Sequence, residues 1–264
     1  MKLLYLVVDT PDYALQGAPL VMKLQQDERR DEDLADRQSR GQQAMPTGST
    51  FCSKAIPFGP GYYHESAVGL ALCVPGILEA VRRWEAEYDA ILVGCFVDPG
   101  VAAARTVASI PVVGPGQASF ALAQTIGDKF GVITILPSNV PDIESLLSML
   151  GLRHKCVGVR SIGRAAAQAR RERFEALTLI EKEASELVRS GADSLILGCM
   201  GFGFAGLAKD LSEVMDMPVV DPLHAGISVA FALSSTGLRP SSRVYPPIEW
   251  RHELDAYLDW HRLE

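Results

Sequence analysis

Basic residues are in the minority. The 25 lysines and arginines stand against 32 aspartates and glutamates, for a net charge of −7. That balance excludes a dominant nucleic-acid or anionic-membrane surface as the basis of function. Long apolar runs are also missing. Leu3–Val8 ends at Asp9, too short for a secretory h-region, and reads as a buried strand. Thr106–Gly127 carries no charge but holds two prolines, three glycines and two glutamines, so it reads as strand, turn and helix rather than a membrane span. The five cysteines are odd in number and widely spaced, and none forms a CxxC pair. A disulfide framework and a zinc site are therefore not expected. A cytoplasmic protein is expected, with no membrane and no nucleic-acid partner.

One phrase occurs twice. Asp89-Ala-Ile-Leu-Val-Gly-Cys95 returns as Asp193-Ser-Leu-Ile-Leu-Gly-Cys199. Each copy runs on through a helical stretch into a second short strand, Pro111-Val-Val-Gly-Pro115 and Pro218-Val-Val-Asp-Pro222. A repeat that keeps a cysteine at the same strand end points to two thiols placed by internal pseudo-symmetry. Such a pair suits chemistry on both faces of one carbon.

The rest of the chain reads as strands alternating with helices. Strands are expected at Leu3–Val8, Ser49–Ile56, Ala90–Val93, Val112–Val113, Gly131–Leu136, Ser194–Leu197 and Val219–Val220. Helical stretches are expected at Ala14–Gln43, Ala67–Glu87 (restarting at Pro75), Val101–Ala108, Ala118–Phe130, Pro141–Leu150, Arg171–Arg189 and Pro222–Leu238. The stripe Phe174, Leu177, Ile180, Ala184, Leu187 and Val188 marks the core face of one of these. The tail from Arg239, with two tryptophans, is expected to wrap the surface. Alternation of this kind implies parallel βαβ units. The expected fold class is α/β: two similar Rossmann-like lobes with parallel sheets, related by a pseudo-two-fold axis. The first lobe comprises residues 1–114 with 222–264, the second residues 115–221, and the active site is expected between them.

Ligands of open parallel sheets bind beyond the carboxyl ends of the strands, where Cys95 and Cys199 fall. Gly94 and Gly198 permit a turn or a close approach there. Asp98 and Pro99 read as the N-cap and first-turn pair of the next helix, and a thiol near a helix N-terminus has its pKa lowered. A thiolate on one face of a carbon beside a carbonyl can remove its proton while a thiol on the other face returns one, and the carbon inverts. Backbone N–H groups at helix starts would hold the enolate-like charge. This scheme requires no cofactor. Cys52, Cys73 and Cys156 read instead as small buried hydrophobes. His224, just after Asp221-Pro222, is a candidate to face the substrate.

Gly94-Cys-Phe-Val-Asp-Pro-Gly-Val-Ala-Ala-Ala-Arg105 followed by Pro111-Val-Val-Gly114 resembles the first motif of the Asp/Glu/hydantoin racemase family. Leu197-Gly-Cys-Met-Gly201 with Pro218-Val-Val-Asp221 resembles its second. Pro75-Gly-Ile-Leu-Glu79 and Phe130-Gly-Val-Ile-Thr-Ile-Leu136 fit as well. The likeness covers about Gly59 to Leu238 and is nearest the hydantoin and allantoin racemase branch. It implies cofactor-independent racemisation by Cys95 and Cys199, a small-molecule substrate and a homo-oligomer. It also implies that Thr134 lies near the substrate, with Phe96, Met200 and Gly201 flanking it beside the cysteines. There are departures. Where that branch carries an Asn-Pro-Asn type segment, this chain has Val8-Asp-Thr-Pro-Asp12, so Asp9 and Thr10 resemble the Asp-Ser pair of the amino-acid racemases. Gln117 stands where the family often has glutamate, and Phe202 where it often has methionine.

Three functions fit these residues. The leading one is a racemase or epimerase of a small carbonyl compound, with 5-substituted hydantoins or allantoin favoured because a ring carbonyl stabilises the carbanion better than a bare carboxylate. A maleate-type cis–trans isomerase or an Asp/Glu racemase of the same superfamily is the second. A non-catalytic small-molecule binding protein is the third.

Overall fold

The computed structural model describes residues 1–8, 28–57, 59 and 65–247. They divide into two compact units. The first holds Met1–Gly94, Pro99–Val113 and the chain from Ala230, and the second holds Cys95–Asp98 and Gly114–Val229.

The first unit is built on β1 (Lys2–Val7), α1 (Glu28–Ala44), β2 (Thr50–Ala55), α2 (Ala67–Trp84), β3 (Ala90–Val93), α3 (Val101–Val107) and β4 (Val112–Val113). Its four strands are parallel in the order β2-β1-β3-β4. Leu3, Leu4, Tyr5 and Leu6 of β1 and all of β3 are fully buried, as strands covered on both faces must be. Strand β2 pairs with β1 and forms the edge. Two glutamines of α1 cover that edge. Gln42 takes the Phe51 N–H on Oε1 and gives its amide to Ser49 O, while Gln38 takes the Ser53 N–H. Polar groups of an exposed edge strand are thereby satisfied without a further strand.

The proline in α2 does not restart the helix, as the sequence reading expected. One helix runs from Ala67 to Trp84 with Pro75 inside it. The carbonyl that Pro75 leaves without a helical donor is that of Ala71, an exposed residue. Glu79 on the same helix is fully buried and paired with Arg82 and Arg83. Burial would raise its pKa, but the two guanidiniums outweigh that and hold it below the ordinary carboxylate value.

The second unit repeats the plan with α4 (Pro115–Ile126), β5 (Phe130–Thr134), α5 (Val140–Met149), β6 (Cys156–Ser161), α6 (Ala166–Arg171), α7 (Arg173–Arg189), β7 (Ser194–Leu197), α8 (Met200–Phe204), α9 (Leu207–Met215), β8 (Val219–Val220) and α10 (Pro222–Thr236). Its sheet is parallel in the order β6-β5-β7-β8. Helix α4 begins at Pro115, not at Ala118, and ends before Phe130, which opens β5. Strand β6 was not foreseen, because Cys156-Val-Gly-Val-Arg-Ser161 is a half-exposed edge with a register shift beside Phe130/Gly131. The core stripe of α7 is Ala176, Ile180, Ala184 and Leu187; Phe174 is 80% exposed. Leu187 packs onto the backbone of Gly131, where a β-carbon would lie 2.8 Å from it. No helix among the described residues is long and apolar enough to cross a membrane. The tryptophans of the tail lie outside the described residues.

Candidate active site

The doubled phrase has the same structural job in both copies. Asp89 opens the first by receiving the Lys2 N–H on its carboxylate at 2.6 Å while its own N–H goes to Lys2 O. Asp193 opens the second with the matching bonds to Lys129, at 3.0 and 2.9 Å. Each aspartate thus fixes the start of one interior strand against its neighbour. The glycines close the phrase. Gly94 donates to Leu6 O at 2.8 Å and Gly198 to Ile133 O at 2.7 Å. Leu6 faces Val93 and Ile133 faces Leu197, so the two bonds are equivalent. A β-carbon at 94 would lie 2.4 Å from Leu6 O and 2.7 Å from the Tyr5 hydroxyl; at 198 it would lie 3.0 Å from Val132 Cγ1 and 3.1 Å from Ile133 O. The glycines are there for close passage of neighbouring strands. One residue further on, each copy presents a half-exposed cysteine, and both Cys95 and Cys199 belong to the second unit.

The two thiols have different surroundings. Cys199 is itself the N-cap of α8, with Sγ accepting from the Gly201 N–H at 3.4 Å. A donor aimed at sulfur favours the thiolate. Cys95 is followed by turns, and α3 starts only at Val101 with Gly100 as its N-cap. Asp98 does not cap α3, as the sequence reading expected. It sits in the left-handed region at φ 55, its N–H bonds Cys95 O, and its carboxylate reaches α4 instead. Oδ1 accepts from Gly116 N at 2.9 Å and Oδ2 from Gln117 N at 2.8 Å. Gly114, the N-cap residue of α4, has no side chain to do this.

The remaining cysteines fit structural roles. Burial pushes the Cys73 thiol up to about 12 and raises that of Cys156. Cys52 is half-buried on β2.

Thr134 is 1% exposed, and its hydroxyl donates to Gly198 O at 3.2 Å. It therefore braces the glycine before Cys199 from the neighbouring strand. Phe96 is buried edge-on against Phe120, which stacks on Phe130. Met200 is buried in α8, and Gly201 supplies the N–H that faces Cys199 Sγ. His224 lies in the first turn of α10, largely exposed, with Nδ1 3.5 Å from Asp221 Oδ1. The bond to Asp221 raises its pKa against the opposing effect of burial. Asp221 also caps α10, accepting from Leu223 N and His224 N. Asp9 and Thr10 lie outside the described residues. Sequence reasoning missed the reach of Asp98 to α4. The signal for it was the pair Gly114 and Asp221, which occupy the same place in the two copies.

Among the described residues, no group of three or more His, Cys, Asp or Glu could hold a metal ion. Two matched parallel α/β units, with a half-exposed thiol just past the same interior strand of each copy, define a two-cysteine α/β protein. Residues 36–230 match the Asp/Glu/hydantoin racemase family. Hydantoin racemase of Rhizobium meliloti is 38% identical over 191 residues, 70% of this chain and 78% of that protein. Two solved structures share the fold. Allantoin racemase of Pseudomonas fluorescens matches with a TM-score of 0.81 and 23% identity, over 94% of this chain and 97% of that one. The enzyme of the same name from Klebsiella pneumoniae matches with 0.80 and 20%, over 94% of both chains. The chain belongs to the Asp/Glu/hydantoin racemase family. It is an isomerase of the racemase kind.

Proposed function

We propose that this enzyme interconverts the enantiomers of a 5-substituted hydantoin or of allantoin, with Cys95 and Cys199 as its acid–base pair. The observation that carries the reading is the equivalence of the two strand ends, each held by an aspartate at its start and a glycine at its close. The likeness to hydantoin racemase of Rhizobium meliloti supports the substrate class. In this scheme one cysteine, as thiolate, takes the proton from the ring carbon between carbonyl and nitrogen. The electron pair left on carbon spreads onto the adjacent carbonyl oxygen. The other cysteine, as thiol, gives its proton to the opposite face, and the two sulfurs exchange protonation states. The next turnover on the product enantiomer runs in reverse and restores them.

The test is exchange and racemisation in deuterated water, run on both enantiomers of 5-benzylhydantoin and of allantoin, with aspartate, glutamate and maleate alongside. Cys95→Ser and Cys199→Ser should each abolish net racemisation, and one of them should still exchange the proton of a single enantiomer. Parent-rate racemisation by both variants would refute the two-thiol mechanism. Turnover of maleate or of the amino acids with none of the hydantoins would refute the substrate class.

A further inference from the structure

We propose that Asp98 is the positioning residue of Cys95. Its carboxylate ties the loop that carries this thiol to the N-terminus of α4. The inference rests on the assignment of Cys95 to the acid–base pair and adds what holds it in place.

Three features separate Asp98 from an ordinary helix cap. First, the first-turn N–H groups it satisfies, those of Gly116 and Gln117, belong to a helix separated from it by α3 and β4. An N-cap side chain usually serves its own helix. Second, the chain adapts on both sides to let it in. Asp98 holds a left-handed backbone that favours glycine, and a β-carbon on Gly114 would lie 2.3 Å from the Asp98 carboxyl carbon. A β-carbon on Gly116 would lie 2.2 Å from Phe96 O, in the same loop. Third, the second copy shows the ordinary solution. Asp221 takes the place of Gly114 and caps α10 from its own N-cap position, with bonds to Leu223 N and His224 N. The first copy has moved that carboxylate off the helix and onto the loop of Cys95. Capping alone does not need the move. Fastening the loop does: Asp98 N–H bonds Cys95 O, its carboxylate bonds α4, and only Phe96 and Val97 stand between that carboxylate and the thiol-bearing residue.

The two roles can be pulled apart by returning the carboxylate to the helix. In Asp98→Gly/Gly114→Asp, α4 regains a cap of the Asp221 kind and the helix end keeps its negative charge, but the loop is untied. Glycine suits the backbone at 98, and Gly114 already has the extended conformation of an N-cap, at φ −96 and ψ 128. Melting temperature, steady-state racemisation of 5-benzylhydantoin and residue-resolved iodoacetamide alkylation are read together. The expected result is a melting temperature close to the parent, kcat down at least tenfold with KM within twofold, and Cys95 alkylated at least three times faster while the Cys199 rate is unchanged. Parent-level kcat with parent-level Cys95 alkylation would make Asp98 a helix cap and no more, and would overturn the proposal. Should the double variant fail to fold, Asp98→Asn is read by the same two measurements, and less than a twofold change in both overturns it. The alkylation rates need no substrate. Inactivity of the parent on hydantoins would count against the function assigned above without touching the tether.

Discussion

Gly94 and Gly198 close equivalent strands, yet alanine should be far worse at the first than at the second. At Gly94 the new methyl would meet a backbone oxygen, Leu6 O at 2.4 Å, and the Tyr5 ring from its hydroxyl to Cζ at 2.7 and 2.8 Å. Leu6 and Tyr5 are fully buried on a strand paired on both sides, so neither can retreat without breaking ladder bonds. Overpacking of this kind costs about 3 kcal/mol. The Tyr5 hydroxyl would also lose its bond to Gly94 O, for about 1 kcal/mol more. Against this stands about 0.4–1 kcal/mol from a stiffer unfolded chain. The net loss is about 3 kcal/mol, a fall in melting temperature of about 6–12 °C for a chain of this size. At Gly198 the nearest atom is a side-chain methyl, Val132 Cγ1 at 3.0 Å, and Ile133 O is at 3.1 Å. A shift of a few tenths of an ångström relieves both, and the unfolded-state gain offsets most of the strain. Gly198→Ala should stay within about 1 kcal/mol of the parent, or about 3 °C. Scanning calorimetry of the two variants decides. Equal destabilisation, or the reverse order, would refute the view that backbone passage rather than ligand approach fixes these glycines.

Further outcomes follow from the same structure. Thr134→Val keeps the shape and removes the hydroxyl bond to Gly198 O; stability should fall by about 1–2 kcal/mol and kcat should drop with KM nearly unchanged. A higher KM at parent stability would place the hydroxyl on the substrate instead. His224 has a raised pKa, so its contribution to stability is fully present below the ordinary histidine value near 6.5 and is lost as pH rises through its folded pKa. The melting-temperature gap between parent and His224→Gln should therefore be larger at pH 5.5 than at pH 9, and an unchanged gap would count against the Asp221 contact. With native protein at pH 8, iodoacetamide should leave Cys73 and Cys156 unmodified while Cys95 and Cys199 react, because burial raises the pKa of the first two; early labelling of Cys73 would contradict its burial.

The strands that the sequence displayed best are the buried ones. Leu3–Val8, Ala90–Val93 and Ser194–Leu197 are short continuous apolar runs because both sheet faces are covered, and the repeat confirmed two of them against each other. Strand β6 escaped because an edge strand need not be apolar. Its Gly158 and Arg160 answer to a half-exposed position and a register shift, neither of which leaves a period in the sequence. The sequence rule that a proline restarts a helix is local, and the structure overrides it: α2 runs unbroken through Pro75, and Ala71, four residues before it, is an exposed residue. The two cysteines were legible because the repeat placed them. Asp98 was misassigned because a capping motif read along the chain is a local pattern, and its true partners lie beyond the next helix and strand.

That misassignment exposes how a symmetric plan serves an asymmetric pair of thiols. Both copies need a carboxylate over the helix that follows the second short strand, since its first N–H groups are otherwise unsatisfied. In the second copy Asp221 supplies it locally, which leaves the Cys199 loop free to turn at once into α8 and to give its sulfur the Gly201 N–H. In the first copy Asp98 supplies it from the cysteine loop. Cys95 is thereby followed by turns instead of a helix start, with a carboxylate three residues away. Cys199 meets a hydrogen-bond donor at its sulfur, while the Cys95 loop is tied through Asp98 to α4. The placement of a single carboxylate, on the cysteine loop in one copy and at the helix N-cap in the other, gives the two thiols these different surroundings.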